Sequence, residues 1–289
     1  MTYSIYADLH THTTASDGTL SPQELIELAS RSALKVIAVT DHDTIAGVNR
    51  AKEAAESKEI KIISGIELSC GWHDSDDNEM SAHVLGLYID LDSAPFNELL
   101  LSQKQNRYTR AMKMLDLLEK ENIDTSELRL DFENSPDKVL GRPHVARYLM
   151  EKKYIANFQE AFNKYISKGR PAYVPKVPLD PKDAISAIHQ ANGIAILAHP
   201  GLIPDWEKTW SYLKNLNFYG FETYYSEHSR TQTAFFENII NEKNWLSTGG
   251  SDYHGHYGKH KNRLGKYGLT KEQFDDFSTK LKMRKNPNE

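Results

Sequence analysis

The chain has 289 residues, 39% hydrophobic and 26% charged, with a formal net charge of −5. That composition excludes a disordered chain, and no run approaches the roughly 18 apolar residues of a membrane span. The only cysteine, Cys70, rules out an intramolecular disulfide. Together with an N-terminus (MTYSIYADLH) that lacks the basic and apolar regions of a secretory signal, it points to the cytoplasm. The length suits one large α/β barrel or two average domains.

Short apolar runs alternate with helical patterns along most of the chain. The predicted strands are Ile5–Leu9, Val36–Thr40, Ile60–Ile66, His83–Tyr88, Ile194–Ala198, Gly220–Tyr224 and Trp245–Thr248. A helix over 21–32 opens on Ser-Pro with Glu24 three residues beyond Ser21, a capping-box spacing. Another, over 181–191, follows Leu-Asp-Pro. This alternation predicts an α/β fold with a parallel sheet, open or closed into a barrel. The pattern breaks between about Pro95 and Val177. Residues 96–121 read as one long amphipathic helix, with Leu99, Leu100, Ala111, Met114, Leu115 and Leu118 at helical spacings, and shorter helices follow at 143–153 and 157–167. The expected organisation is a barrel formed by 1–95 and 177–289, with 96–176 as an all-helical insertion over its mouth. Residues 255–289 carry nine Lys/Arg against four Asp/Glu, which reads as a solvated helical tail or as a contact for a polyanion.

Histidines and acids fall at the ends of the predicted strands. His10 and His12 alternate on strand one, where a strand points them at one object, and Asp17 follows in a Ser/Thr/Gly loop. TDHDT supplies His42, GIELS Glu67, AHVLGLY His83, LAHPG His199, and GSDYHG Asp252 and His254. Only His83 lies near a strand start. Carboxyl ends of parallel strands converge on one mouth in α/β barrels. Acids grouped there would repel one another without a cation. Nine donors exceed what one ion needs, so a site for two or three metals is expected.

DLHTHTTASDG, TDHDT, GIELS, AHVLGLY, LAHPG and GSDYHG resemble the successive motifs of the PHP (polymerase and histidinol phosphatase) superfamily, from residue 8 to residue 255. The resemblance implies a distorted seven-stranded TIM-like (β/α) barrel. It also implies three divalent metal ions, usually manganese, iron or zinc, with manganese expected here. By that resemblance His10, His12, Glu67 and Asp252 would hold the first metal. Glu67 would bridge to a second, completed by His83 and His199, while Asp17, His42 and His254 would hold the third. The implied activity is phosphoester hydrolysis by in-line attack of metal-bound hydroxide, with no other catalytic residue.

GRPHVARYLM and GFETYYSEHS further resemble a branch of standalone nucleotide phosphatases and 5′-to-3′ exonucleases. Arg142 suits bidentate contact with phosphate, and His144 could add a hydrogen bond. The resemblance adds His228 as a phosphate contact and Tyr225 as a base or sugar contact. The implied reaction removes the 3′-phosphate of nucleoside 3′,5′-bisphosphates, with short 5′-phosphorylated RNA as a further substrate. A nucleotide or short oligonucleotide is thus the expected partner, with no membrane and no obligate protein partner. A small-metabolite phosphatase, such as one for histidinol phosphate, and a non-catalytic metal-binding module are the alternatives. His256 and His260 are expected to be solvated.

Overall fold

A computed structural model describes residues 4–135, 138–256 and 263–285. Its strands are β1 (Ala7–Asp8), β2 (Val36–Val39), β3 (Lys61–His73), β4 (Glu79–Leu87), β5 (Ile194–Leu197), β6 (Gly220–Tyr225) and β7 (Leu246–Gly250). They form one seven-stranded sheet in sequence order. β7 returns to the first strand: Leu9 N–H donates to Gly249 O at 3.0 Å, and Asp252 N–H to His10 O at 2.9 Å. The sheet thereby closes into a barrel. At Gly250 the two chains touch so closely that a Cβ would lie 2.4 Å from His10 Cβ, which reserves the position for glycine.

The sheet is mixed, which corrects the parallel expectation. β4 runs antiparallel to both β3 and β5, and the remaining pairs are parallel. The cause is the brief connection 74–78, in which Asp74 Oδ1 accepts from the backbone N–H of Asp76 (2.8 Å) and Asn78 (3.0 Å). A connection that short makes a hairpin, whereas a parallel return needs a dozen residues or more. Both strands run further than expected, and Cys70 is buried inside β3 rather than following it.

The helices are α1 (Pro22–Arg31), α2 (Ala46–Ala55), α3 (Ala94–Lys120), α4 (Ser126–Glu133), α5 (Arg142–Glu151), α6 (Phe158–Ala161), α7 (Pro181–Gln190), α8 (Trp206–Leu213), α9 (Arg230–Lys243) and α10 (Lys271–Lys285). α6 continues into a π-helical turn, Phe162–Ile166. α1 starts as its sequence predicts: Ser21 Oγ accepts from Glu24 N–H, and Glu24 returns the bond to Ser21 N–H at 2.7 Å.

Two regions of the core position the site. Alternate residues of the strands fill the barrel interior, among them Leu9, Ala38, Ile63, Leu85 and Ile196. α10 adds Phe274, Phe277 and Leu281 to that core. Arg284 donates to the carbonyls of Tyr219 (3.0 Å) and Asn244 (2.9 Å), and Lys285 to Asn192 O (2.9 Å), all just before strands. α10 therefore stoppers the N-terminal end of the barrel, opposite the histidines. Residues 96–176 contribute no strand among the described residues, and Ala111, Met114, Leu115, Leu118, Leu128, Val145 and Leu149 give them a core of their own.

Candidate metal centre

The chain leaving β1 sets the site. Thr11, between the two histidines, donates from N–H to Thr40 Oγ1 (3.0 Å) and from Oγ1 to Ala38 O (2.6 Å). With Thr11 turned to the neighbouring strand, His10 and His12 face the mouth together. Glu67 is the hub. Its Oε2 lies 3.1 Å from His10 Nε2, His12 Nε2 and His42 Nδ1. Its Oε1 lies 2.7 Å from His83 Nδ1 and 3.0 Å from His199 Nε2. Asp252 Oδ1 is 3.3 Å from His10 Nε2 and 3.1 Å from His12 Nε2, and Asp17 Oδ1 is 3.3 Å from His254 Nε2. All nine predicted residues thus meet in one mouth. His83 joins because β4 runs antiparallel, which brings its middle beside the end of β5, where Ala198 N–H donates to His83 O at 3.0 Å.

Within this cluster three groups bring their donor atoms to a common point: His10, His12, Glu67 and Asp252; His12, Asp17, His42 and His254; and His42, Glu67 and His83. The first coincides with the set implied for one metal. The second adds His12 to the set implied for another. The third puts His42 beside Glu67 and His83, where His199 was expected.

The donor set fits divalent cations by what it lacks. Among the described residues, Glu67 Oε2, His10 Nε2, both nitrogens of His12, His42 Nδ1 and His199 Nδ1 are buried without a hydrogen-bond partner. The 3.1 Å approaches of Glu67 Oε2 to His10, His12 and His42 miss hydrogen-bond geometry, and buried polar atoms left so are costly. Imidazole nitrogens and carboxylate oxygens aimed at shared points are the chemistry a divalent ion completes. Electrostatics agrees: burial pulls His10 down, yet Glu222, Glu67 and Asp252 outweigh it and hold the imidazole well above its usual value. Burial alone would raise Glu67, but the surrounding histidines hold it well below the carboxylate range.

Three of the eleven non-glycine residues with positive φ among the described residues lie at this mouth. His199, Asp252 and Asp43 have φ of +28°, +52° and +52°. Such conformations persist only where the surroundings impose them.

Several residues that sequence reasoning left without a role support the cluster. Glu222, fully buried on β6, takes His10 Nδ1 at 3.0 Å and His199 N–H at 2.8 Å. This carboxylate fixes the proton on Nδ1 and leaves Nε2 facing the cluster, the arrangement that orients metal-ligating histidines. A charge inside the apolar stretch GFETYY was the available signal. Asp41 accepts from Thr13 N–H, Thr13 Oγ1 and Ser16 Oγ at 2.6–2.7 Å, and so shapes the loop bearing Asp17. Asp43 receives Arg107 Nε from α3 at 2.7 Å, tying the insertion to the barrel.

Three of the expected substrate contacts have partners within the chain. His144 is buried, with Nδ1 accepting from Gly141 N–H (3.1 Å) and Nε2 donating to Ser16 O (2.9 Å). Both nitrogens are engaged in pinning α5 to the Asp17 loop, and Arg147 adds a bond to Asp17 O at 2.9 Å. His228 likewise donates from Nδ1 to Thr223 O and accepts at Nε2 from Gly201 N–H, each at 3.0 Å. It secures the turn after His199, and a Cβ on Gly201 would strike it at 2.6 Å. The Tyr225 hydroxyl donates to Asp252 Oδ2 at 3.0 Å, which orients that carboxylate rather than a base. Arg142 lies over the Phe162 ring at 5.4 Å. His256 is exposed, and His260 lies outside the described residues.

Comparison with known proteins agrees with this geometry. The family model of the PHP domain matches residues 8–170. A 5′-3′ exoribonuclease of Haemophilus influenzae is 40% identical over 67% of this chain and 68% of its own length. A 3′,5′-nucleoside bisphosphate phosphatase of Chromobacterium violaceum is 30% identical over 86% of each chain. The crystal structure of a Bifidobacterium adolescentis protein assigned as a metal-dependent phosphoesterase superposes with a TM-score of 0.82, at 25% identity over 96% of both chains. The motifs, the barrel and its histidine-lined mouth therefore have one source: the chain belongs to the PHP domain family.

Proposed function

We propose that this PHP-family chain, a metal-dependent phosphoesterase, removes the 3′-phosphate of nucleoside 3′,5′-bisphosphates. The observation that carries the reading is the set of buried imidazole and carboxylate donors around Glu67 that lack hydrogen-bond partners. His10, His12, Glu67 and Asp252 would hold one ion, Asp17, His42 and His254 with His12 another, and His83 and His199 with Glu67 a third. Divalent cations so held polarise phosphoryl oxygens and make a coordinated water acidic. The chain itself does the positioning. Glu222 keeps His10 Nδ1 protonated, Tyr225 steadies Asp252, and His228 holds the strained His199 turn. Arg142, which has no ion-pair partner among the described residues, serves as the phosphate contact from the insertion.

The nucleotide substrate is supported by the names of the two curated relatives, a nucleoside bisphosphate phosphatase and an exoribonuclease. A second reading, in which the chain also trims short 5′-phosphorylated RNA, is favoured by a groove of about 660 Å³ beside Asp43, lined in part by Arg50, Lys104, Asn97 and Asn134. The test is phosphate release from adenosine 3′,5′-bisphosphate with manganese, run beside histidinol phosphate and a 5′-phosphorylated RNA trimer. Preference for the bisphosphate supports the reading. Mononucleotide release from the trimer extends it to exonuclease action. Turnover of histidinol phosphate alone overturns it in favour of a small-metabolite phosphatase.

A further inference from the structure

The helical insertion grips the barrel beside one donor group of the metal cluster. Asp17 lies outside every strand and helix, in the loop 9–21 between β1 and α1. Three consecutive carbonyls of that loop each take a donor from the insertion. Val139 N–H donates to Ala15 O (3.2 Å), His144 Nε2 to Ser16 O (2.9 Å) and Arg147 Nη2 to Asp17 O (2.9 Å). His144 and Arg147 stand three residues apart on α5, hence on one face of it. A second hold falls beside His42. Arg107 of α3 donates to Asp43 Oδ2 at 2.7 Å, and Asp43 follows His42 directly, with φ of +52°. Asp17 and His42 belong with His12 and His254 to one donor group. The insertion thus bears on two of the four donors in that group, through the backbone that carries them.

The group of His10, His12, Glu67 and Asp252 is secured from within the barrel. Glu222 holds His10, Tyr225 holds Asp252 Oδ2, and Asp8 Oδ1 accepts from the N–H of Ser251, beside Asp252, at 2.9 Å. Glu67 stands in the β3–β4 ladder opposite Leu85. Arg107 also reaches Ser69 Oγ (3.0 Å) and Lys176 the Ser69 carbonyl, but there the same ladder, with Ser69 opposite His83, already sets the backbone. Insertion and barrel pack about separate cores. Losing one polar bond between them therefore leaves both cores intact, while the irregular loop loses a restraint.

We propose that Arg147 is a positioning residue for Asp17, and that divalent-cation binding by Asp17, His42, His254 and His12 is coupled to docking of the insertion on loop 9–21. The group around Glu67 and Asp252 binds without that coupling. This rests on the metal reading above and gives the ions unequal dependence on the insertion. A site whose competent form is only part of the population binds with an affinity lowered by that fraction, so the Asp17 group fills last. Coupling is reciprocal: an ion bound there tightens the insertion on the loop.

The experiment titrates manganese into the metal-free full chain and counts the free ion by its electron paramagnetic resonance. In Arg147→Ala the last ion binds about tenfold more weakly, the low end of losses behind a metal-bound residue, and the tighter ions stay within about twofold. Arg147→Lys keeps a charged donor and recovers most of the loss. Equal weakening of every ion, or of none, overturns the proposal. Hydrogen exchange reads the coupling from the other side. Amides of α5 slow at least about fivefold when the last ion binds, and not when the first does. Exchange that tracks the first ion, or neither, overturns it as well. If the wild type binds no manganese, the metal reading falls and this proposal with it. If it binds manganese and Arg147→Ala matches it, only the proposal falls. Thermal melting of the metal-free variants checks that each is folded.

Discussion

The barrel mouth and the helical insertion each bury histidines, and they treat them in opposite ways. At the mouth, His10 Nε2 and both nitrogens of His12 are buried with no hydrogen-bond partner among the described residues. In the insertion, His144 is as well buried, yet each of its nitrogens has a backbone partner near 3 Å. A buried polar group is tolerated when satisfied, so an unsatisfied cluster must be satisfied by something the chain itself does not supply. The unsatisfied atoms of His10, His12 and Glu67 are what set the mouth apart from the insertion. The histidines of GRPH and YYSEH both hold backbone partners within the chain, in segments that resemble phosphate-binding ones.

The largest effect that would break this comparison is at Glu67. Glu67→Gln removes the one carboxylate shared by five histidines, and turnover should fall on the order of 10³-fold with loss of bound metal. Metal content by mass spectrometry and kcat check it together; full metal occupancy with normal turnover would return Glu67 to a structural role. Next comes Glu222→Gln, which keeps the shape but no longer enforces the Nδ1 proton of His10. Metal affinity should weaken about 10- to 100-fold, the usual loss for a carboxylate behind a metal-bound histidine. Titration with manganese reads this, and unchanged affinity would separate Glu222 from the centre.

The smallest effect sharpens the other side of the comparison. His144→Gln keeps one donor and one acceptor and should cost only about 1 kcal/mol at pH 7, with metal content unaltered. Its pH dependence is the diagnostic. Burial pushes His144 from its ordinary 6.5 down to about 4, against the attraction of Asp17. Between those pH values the unfolded chain binds a proton that the folded chain refuses, so wild-type stability falls as the pH drops from about 6.5 to about 4. The full loss is on the order of 3 kcal/mol, and His144→Gln should lack it. Urea unfolding at pH 7 and at pH 4.5 measures both slopes. Parallel slopes would mean that the imidazole is not buried neutral.

Much of the fold and of the metal cluster was legible in the sequence. All seven strands could be read because buried strands are short apolar runs between helical patterns, and α1 announced its own cap. The direction of β4 was legible too, in retrospect, since only residues 74–78 separate it from β3. The alternation of strands and helices elsewhere overrode that local signal. Glu222, Asp41 and Asp43 went without a role because a lone acid in a strand or loop has many uses until its partner is known.

What the sequence determined by itself is whatever follows from period and spacing: the alternation of His10 and His12, the capping box, the break at the insertion, and the recurrence of acid and histidine at strand ends. These are local, set by backbone geometry within a few residues. Which nitrogens stay unsatisfied, which carboxylate holds which ring, and that Arg107 meets Asp43 were decided only by the tertiary structure. Hydrogen bonds and electrostatic coupling act through space between residues far apart in the chain, as between His10 and Glu222 or Arg107 and Asp43. No periodicity along the chain encodes such a meeting.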